Sequence, residues 1–389
     1  MKIANRMENL SPSVTMAITA LARELKAQGK DILSFSAGEP DFDTPELIKQ
    51  AAIKAINEGH TKYTAVEGII ATKQAIINKL KKDHNLDYKL EGIVISNGAK
   101  HSLFNLFQVL VEEGDEVIIP APYWVTYPEQ VKFSGGVPVF IETDDSTEFK
   151  ITPEQLKAAI TPKTKILLLN TPSNPTGSVY SKEELLALGE VLKGTDIIVL
   201  SDEMYEKIMY NGKKFTACAE VSEDMYKRTV TINGLSKAVA MTGWRFGYIA
   251  TPDVALAKAL TKLQGQVTSN INTMTQYAAI PALEGDADET IEMMRVEFEK
   301  RKNYAVKAFN DIKGLSCVEP DGAFYLFVNI KNVTPDSMKF CADLLEEKGV
   351  ALVPGLAFGT EGYVRFSFAT DLATIQEGIK RIKEFVESK

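Results

Sequence analysis

Cysteine is scarce in this chain: Cys218, Cys317 and Cys341 are odd in number and far apart in 389 residues. That argues against a disulfide framework and points to a reducing cytoplasm. Histidine is as rare, and His60, His84 and His101 show no metal-ligand spacing, so no metal is expected. Positive charge is in deficit, with 44 Lys and Arg against 52 Asp and Glu and a net charge of -8. Without a basic run, nucleic acid is not an expected partner. No apolar stretch approaches the length of a membrane span, and the segment from Met1 to Thr15 holds no hydrophobic signal core. The dinucleotide pattern Gly-x-Gly-x-x-Gly and a phosphate loop ending in Gly-Lys-Ser/Thr are both missing, which argues against a nucleotide enzyme. The sequence has no internal repeat and no low-complexity segment.

What is present reads as an α/β protein of about two domains, because short apolar runs alternate with amphipathic stretches. Strands are expected at 92–96, 116–120, 138–142, 165–170, 196–201, 229–233 and 246–250. Several are apolar on both faces, as suits a mostly parallel central sheet with helices on both sides. Leu103, Leu106, Phe107, Leu110 and Val111 form one helical stripe. Ser181 and Glu184 have the spacing of a capping box. After 285 a long charged helix leads to two alternating strands, "AFYLFVNI" and "YVRFSFA", with a helix between them and one after. The expected division is 1–45, an N-terminal arm joining the small domain; 46–284, a large α/β domain; and 285–389, a smaller α+β domain.

In open α/β sheets, ligands bind beyond the carboxyl ends of the strands. Behind four of the expected strands lie "NGAKHS", "TPSNPTG", "DEMY" and "GLSK", which carry Gly98, Lys100, Asn174, Asp202, Tyr205, Ser236 and Lys237. Lys237 is set among Gly234, Leu235, Ser236, Ala238, Val239, Ala240 and Met241. Desolvation turns a lysine into a nucleophile and proton carrier near neutral pH; the ordinary alternative is a solubilising surface lysine. Asn97, Gly98 and Ala99 lead into a helix whose free N–H groups can cradle a phosphate, although turn glycines also serve purely steric ends. Asp202 closes an apolar strand and must be paired or solvated, either as a helix N-cap or as the partner of a protonated ring nitrogen. Tyr205 shares a helix face with it if that segment is helical. Arg365, in an alternating strand, reads by itself as solvent-facing.

Taken together, these motifs resemble the class I (fold type I) pyridoxal-phosphate-dependent aminotransferases, in particular the bacterial aspartate aminotransferase subgroup. The likeness is carried by "GLSKAVAMTGWRFG" (234–247), "SFSAGEPDFDTP" (34–45), "KYTAVEG" (62–68), "APYWVTYP" (121–128), "NTPSNPTG" (170–177), "SDEMYE" (201–206) and "YVRFSFA" (363–369), and so covers nearly the whole chain. The resemblance implies pyridoxal 5'-phosphate held by Lys237 as a Schiff base, with Asp202 on the pyridine nitrogen. It implies Tyr205 and Asn174 on the ring oxygen and Trp124 stacked on the ring. The phosphate would lie on Gly98, Ala99, Lys100, Ser236 and Arg245, with Tyr63 reaching it from the other subunit of a homodimer. Arg365 would grip the substrate α-carboxylate, helped by Asn174 and the Gly38 backbone.

The substrate is less sharply marked. One branch of the family supplies a second cation for a distal carboxylate in the segment corresponding to 263–272, and here that segment has no basic residue. The bacterial branch uses the lysine of the phosphate loop, and Lys100 is present. Aspartate with 2-oxoglutarate is therefore the expected pair, with Ser13 and Thr15 on the same side of the pocket. The alternatives are an aromatic, prephenate or alanine aminotransferase, or a carbon–sulfur lyase. A non-catalytic sensor on the same fold is disfavoured by the intact Lys237, Asp202 and Arg365. Ser11 before Pro12 departs from the Lys of some prephenate-accepting relatives, and His101 and Ala65 replace the usual Gln and Pro.

Overall fold

The computed structural model describes residues 1–8 and 10–389. Seven strands build the central sheet: β1 (Ile93–Asn97), β2 (Glu116–Ala121), β3 (Val137–Glu142), β4 (Thr164–Asn170), β5 (Ile198–Asp202), β6 (Thr229–Gly234) and β7 (Phe246–Ala250). They lie in the order β1-β7-β6-β5-β4-β2-β3. The pairs β2–β3, β2–β4, β4–β5 and β5–β6 are parallel, and β7 runs antiparallel to both β6 and β1. The seven expected strands are all found, with ends shifted by no more than two residues.

Continuous apolar runs form these strands because both faces are covered. In β4, Ile166 and Leu168 enter the cluster that holds Leu103, Leu106 and Phe107 of the helix Ala99–Leu110. The alternate residues Leu167 and Leu169 enter the cluster of Leu185, Leu188 and Leu192 from the helix Lys182–Leu192. Successive side chains of a strand point to opposite faces, and each fully buried Leu contributes roughly 1.5–3 kcal/mol. Ser181 and Glu184 form the expected capping box. Val111 is a correction: it lies just past its helix, in extended backbone, and not in the helical stripe.

The C-terminal part is a four-stranded antiparallel sheet in which Tyr325–Asn329 pairs with Tyr363–Ser367. The helices Ser337–Lys348 and Leu372–Glu387 and the 23-residue helix Asp288–Asn310 accompany it. Leu33–Ser34 pairs in parallel with Val350–Ala351 as a separate two-stranded sheet, and the Ser367 N–H donates to the Phe35 carbonyl, so the N-terminal arm is tied to the C-terminal part. The core is continuous across the two parts: Tyr205 and Tyr210 of the large part share one cluster with Phe298, Phe324 and Phe368. Among the described residues, no helix is long and apolar enough to cross a membrane.

Candidate active site

Because β1, β4, β5 and β6 point the same way, their carboxyl ends meet at one edge of the sheet. Asp202, the last residue of β5, sits between Asn170 and Ile232 of the neighbouring strands. A cavity of about 450 Å³ opens there, with Lys237, Asp202, Tyr205 and Ser236 on its wall. Asn174, Trp124, Ala99, Lys100 and Arg245 line it from the other large-domain loops, and Gly38 and Arg365 close it from the N-terminal arm and the small sheet. Ser13 and Thr15 line it as well. A wider groove of about 780 Å³ runs past Asp31, Lys380 and Arg381. Several of its charges are paired with one another: Arg381 with Asp31 and Glu377, and Lys380 with Glu377.

Lys237 is half-buried, and its ammonium donates to the Gly38 carbonyl. Burial lowers its pKa to about 8; nearby Arg365 and Arg245 push the same way, against Glu39 and Asp202. A substantial neutral fraction thus exists near physiological pH, as a nucleophile and general base require. Asp202 is 5% exposed. Burial raises its pKa to about 6, against the Tyr127 hydroxyl, the Met204 N–H and the charge of Lys237, so it is ionised at neutral pH. Tyr127 donates to its Oδ2 at 2.7 Å and Met204 N–H to its Oδ1 at 3.3 Å. Tyr205 follows in a turn and not in a helix, so the shared helix face does not exist. Its hydroxyl instead shares a 2.9 Å hydrogen bond with that of Tyr325.

Arg365 reverses its solvent-facing reading: it is 2% exposed. Its Nη1 donates to Asn174 Oδ1 at 2.9 Å and its Nη2 to the Ser36 carbonyl at 2.7 Å. The guanidinium lies 4.5 Å from the Tyr325 ring centre, and its Nε has no partner. Among the described residues no carboxylate pairs with it. A buried cation without a counter-ion is costly, and burial lowers its pKa. Its planar fork matches a carboxylate in shape and in charge.

The backbone before the helix Ala99–Leu110 has a shape that suits an anion. No side chain caps the helix Ala99–Leu110, and Gly98 before it has φ 82°. A Cβ at Gly98 would stand 2.5 Å from Arg245 Nη2, and one at Gly247 would stand 2.2 Å from the Ala99 nitrogen. These glycines hold the loop open and close-packed, and uncapped N–H groups at a helix start suit an anion. Arg245 itself takes a left-handed φ of 59°, and Ala240 one of 50°. Such non-glycine residues cost about 1–3 kcal/mol each and concentrate at functional sites. The residues therefore fit pyridoxal phosphate: an anion cradle, a half-buried amine and an ionised buried carboxylate surround one cavity.

One expected residue is placed differently: Gly98 packs against Arg245 and is not on the cavity wall. Tyr63 is 90% exposed and lines no part of the cavity in its own chain. The Lys100 ammonium lies 4.8 Å from the Trp124 ring centre, so that face of Trp124 carries a cation. Sequence reasoning missed Tyr127, Tyr325 and Ser36. Tyr127 stood inside the quoted segment 121–128, but nothing local marked its hydroxyl. Asp83, His84 and Glu206 bring ligand atoms within 4.8 Å of one another. Lys79 and His84 pair with Glu206, and Lys207 with Asp83, so the cluster is an ion-pair network.

Comparison with known proteins agrees with this geometry. The family model for aminotransferases of class I and II matches residues 30–382. An aspartate aminotransferase of Geobacillus stearothermophilus is 51% identical over 396 residues, covering 100% of both chains. An aspartate/prephenate aminotransferase of Nitrosomonas europaea is 48% identical, covering 98% of this chain and 99% of its own. The solved aspartate aminotransferase of Thermus thermophilus with maleate superposes with a TM-score of 0.95 at 39% identity, over 99% of each chain.

Proposed function

The chain belongs to the aminotransferases of class I and II, and from that premise we propose that it moves the amino group of aspartate to 2-oxoglutarate, with pyridoxal phosphate held covalently by Lys237. It is a pyridoxal-phosphate-dependent aminotransferase of fold type I, of the bacterial aspartate aminotransferase type. The cofactor, when bound, supplies a protonated pyridine that takes up the electron pair left on the amino acid's Cα. Asp202, ionised, would pair with that ring nitrogen, and Tyr205 and Asn174 would hold the ring oxygen. The N–H groups of Ala99 and Lys100, the Ser236 hydroxyl and Arg245 would hold the phosphate. Arg365 binds the substrate α-carboxylate, with Asn174 and the Gly38 backbone beside it. Once released, the Lys237 amine accepts the proton from Cα and later returns it, a task that suits a pKa of about 8.

The observation that carries the aspartate reading is a pair of cations on one cavity: buried Arg365 without a counter-ion, and Lys100 above Trp124. A dicarboxylic amino acid needs two such groups, and Thr15, whose buried hydroxyl lacks a partner, lines the same wall. The relatives' names and the maleate of the Thermus structure support the same class of substrate. A panel of amino-acid donors with 2-oxoglutarate tests it: aspartate should lead, and Lys100→Ala should lower kcat/KM for aspartate by about 10- to 100-fold more than for alanine, the scale of one charged hydrogen bond. Equal loss for both donors would reduce Lys100 to a phosphate contact, and prephenate or aromatic acids leading the panel would replace the aspartate reading.

A homodimer accompanies this proposal. Arg245 borders both the cavity and a groove of about 770 Å³ that holds Ile53, Ile56, Trp244 and Met274. A second copy would cover this face and bring its Tyr63 to the phosphate, which explains why Tyr63 stands free in one chain. The expected result is a sedimentation mass of twice the 42.9 kDa chain; a monomer that retains full activity would defeat it. The free cysteines, with Cys218 and Cys341 buried, suit a cytoplasmic setting.

A further inference from the structure

Tyr127 has no part in the reaction as set out above, yet it makes the shortest contact to Asp202. It is 1% exposed, on the helix Thr126–Phe133, and Trp124 meets its ring edge-on at 5.4 Å between centres. Its hydroxyl donates to Asp202 Oδ2 at 2.7 Å, while the Met204 N–H serves Oδ1 at 3.3 Å. We propose that Tyr127 is a positioning residue that keeps the Asp202 carboxylate ionised and aimed, and thereby decides how firmly the cofactor's ring nitrogen holds its proton. This rests on the placement of Asp202 opposite that nitrogen.

Two bases, the ring nitrogen and the Asp202 carboxylate, compete for one proton. A carboxylate buried in an apolar wall gains basicity, and a carboxyl basic enough would draw the proton off the ring. Each donor to the carboxylate stabilises its charged form and lowers its basicity. Met204 offers only a long bond, so most of the correction falls to Tyr127. The phenol is suited to the part, because burial first, and the nearby Asp202 charge second, hold its own pKa well above the ordinary range. It therefore remains an O–H donor across the working pH range and never becomes a rival anion. The pairing also fixes one oxygen of Asp202 by a rigid aromatic with few rotamers, leaving lone pairs on both oxygens for the ligand.

The test reads the ring nitrogen itself. The holoenzyme is loaded with pyridoxal phosphate labelled with ¹⁵N in the ring, and the resonance is compared in the parent, Tyr127→Phe and Asp202→Asn. The parent should show a protonated pyridine. Tyr127→Phe should move the resonance toward the unprotonated value and slow Cα proton removal by about 10- to 100-fold, the scale of one hydrogen bond to a charged group, with little change in KM. Tyr127→His, which restores an N–H donor, should bring the resonance back; it also serves if the Phe variant folds poorly. A resonance that moves in Asp202→Asn but stays put in Tyr127→Phe overturns this inference alone. An unprotonated parent, or no movement in Asp202→Asn, overturns the placement of Asp202 and this inference with it.

Discussion

Lys237→Ala should lower kcat/KM by at least about 10⁴-fold, the upper range for a single positioned proton-transfer group, because the same amine also anchors the cofactor. Nothing nearby can replace it. The other cations on the cavity wall include Arg365, Arg245 and Lys100; a guanidinium is never deprotonated at working pH, and Lys100 sits over Trp124. Borohydride reduction of the loaded parent followed by peptide mass analysis should place the added mass on Lys237 and nowhere else. The rate of cofactor uptake by the cofactor-free parent should rise with pH and level off above the pKa of about 8. An added mass on Lys237→Ala equal to that on the parent would remove Lys237 from its role.

Asp202→Asn should have two effects of opposite sign. Removing one member of a buried charged pair costs about 3–5 kcal/mol, so proton removal from the substrate should slow by about two to four orders of magnitude. The cofactor-free protein should instead gain stability at pH 8. Folding raises the Asp202 pKa from 3.8 to about 6, so the fold favours the uncharged carboxyl. That preference is fully present below 3.8 and is lost as pH rises through about 6. Above that window the buried anion costs about 3 kcal/mol, from roughly two pKa steps at about 1.4 kcal/mol each. Asparagine never ionises, so its advantage should appear at pH 8 and vanish at pH 4 in denaturant unfolding of the cofactor-free protein. A variant less stable by the same margin at both values would show that Asp202 is not strained in the empty site. The carboxylate is thus held at a cost to the fold, as functional groups commonly are.

The chemistry of the site was more legible than its contacts. The seven strands were legible because double-sided burial leaves long apolar runs, and the capping box of Ser181 and Glu184 is a three-residue signal. The apolar company of Lys237 announced desolvation. From its strand alone Arg365 read as solvent-facing, because alternation says which residues share a face and not whether that face meets water. The N-terminal arm and the loop of Asn174 cover it, through Ser36 and Asn174 at separations of 329 and 191 residues. Tyr205 was assigned to a helix face by spacing, where a turn and the distant Tyr325 hold it.

By itself, the sequence determined the class of fold, the family and the loops that gather at one edge of the sheet, because these follow from periodicities and motifs within a few residues. Only the tertiary structure decided which of those groups are stripped of water and what they touch: the pairing of Asp202 with Tyr127, 75 residues away, the uncompensated burial of Arg365, and the exposure of Tyr63. The reason is physical: charge and acidity are set by the surrounding dielectric and by hydrogen-bond partners, and those are assembled by packing between segments remote in the chain.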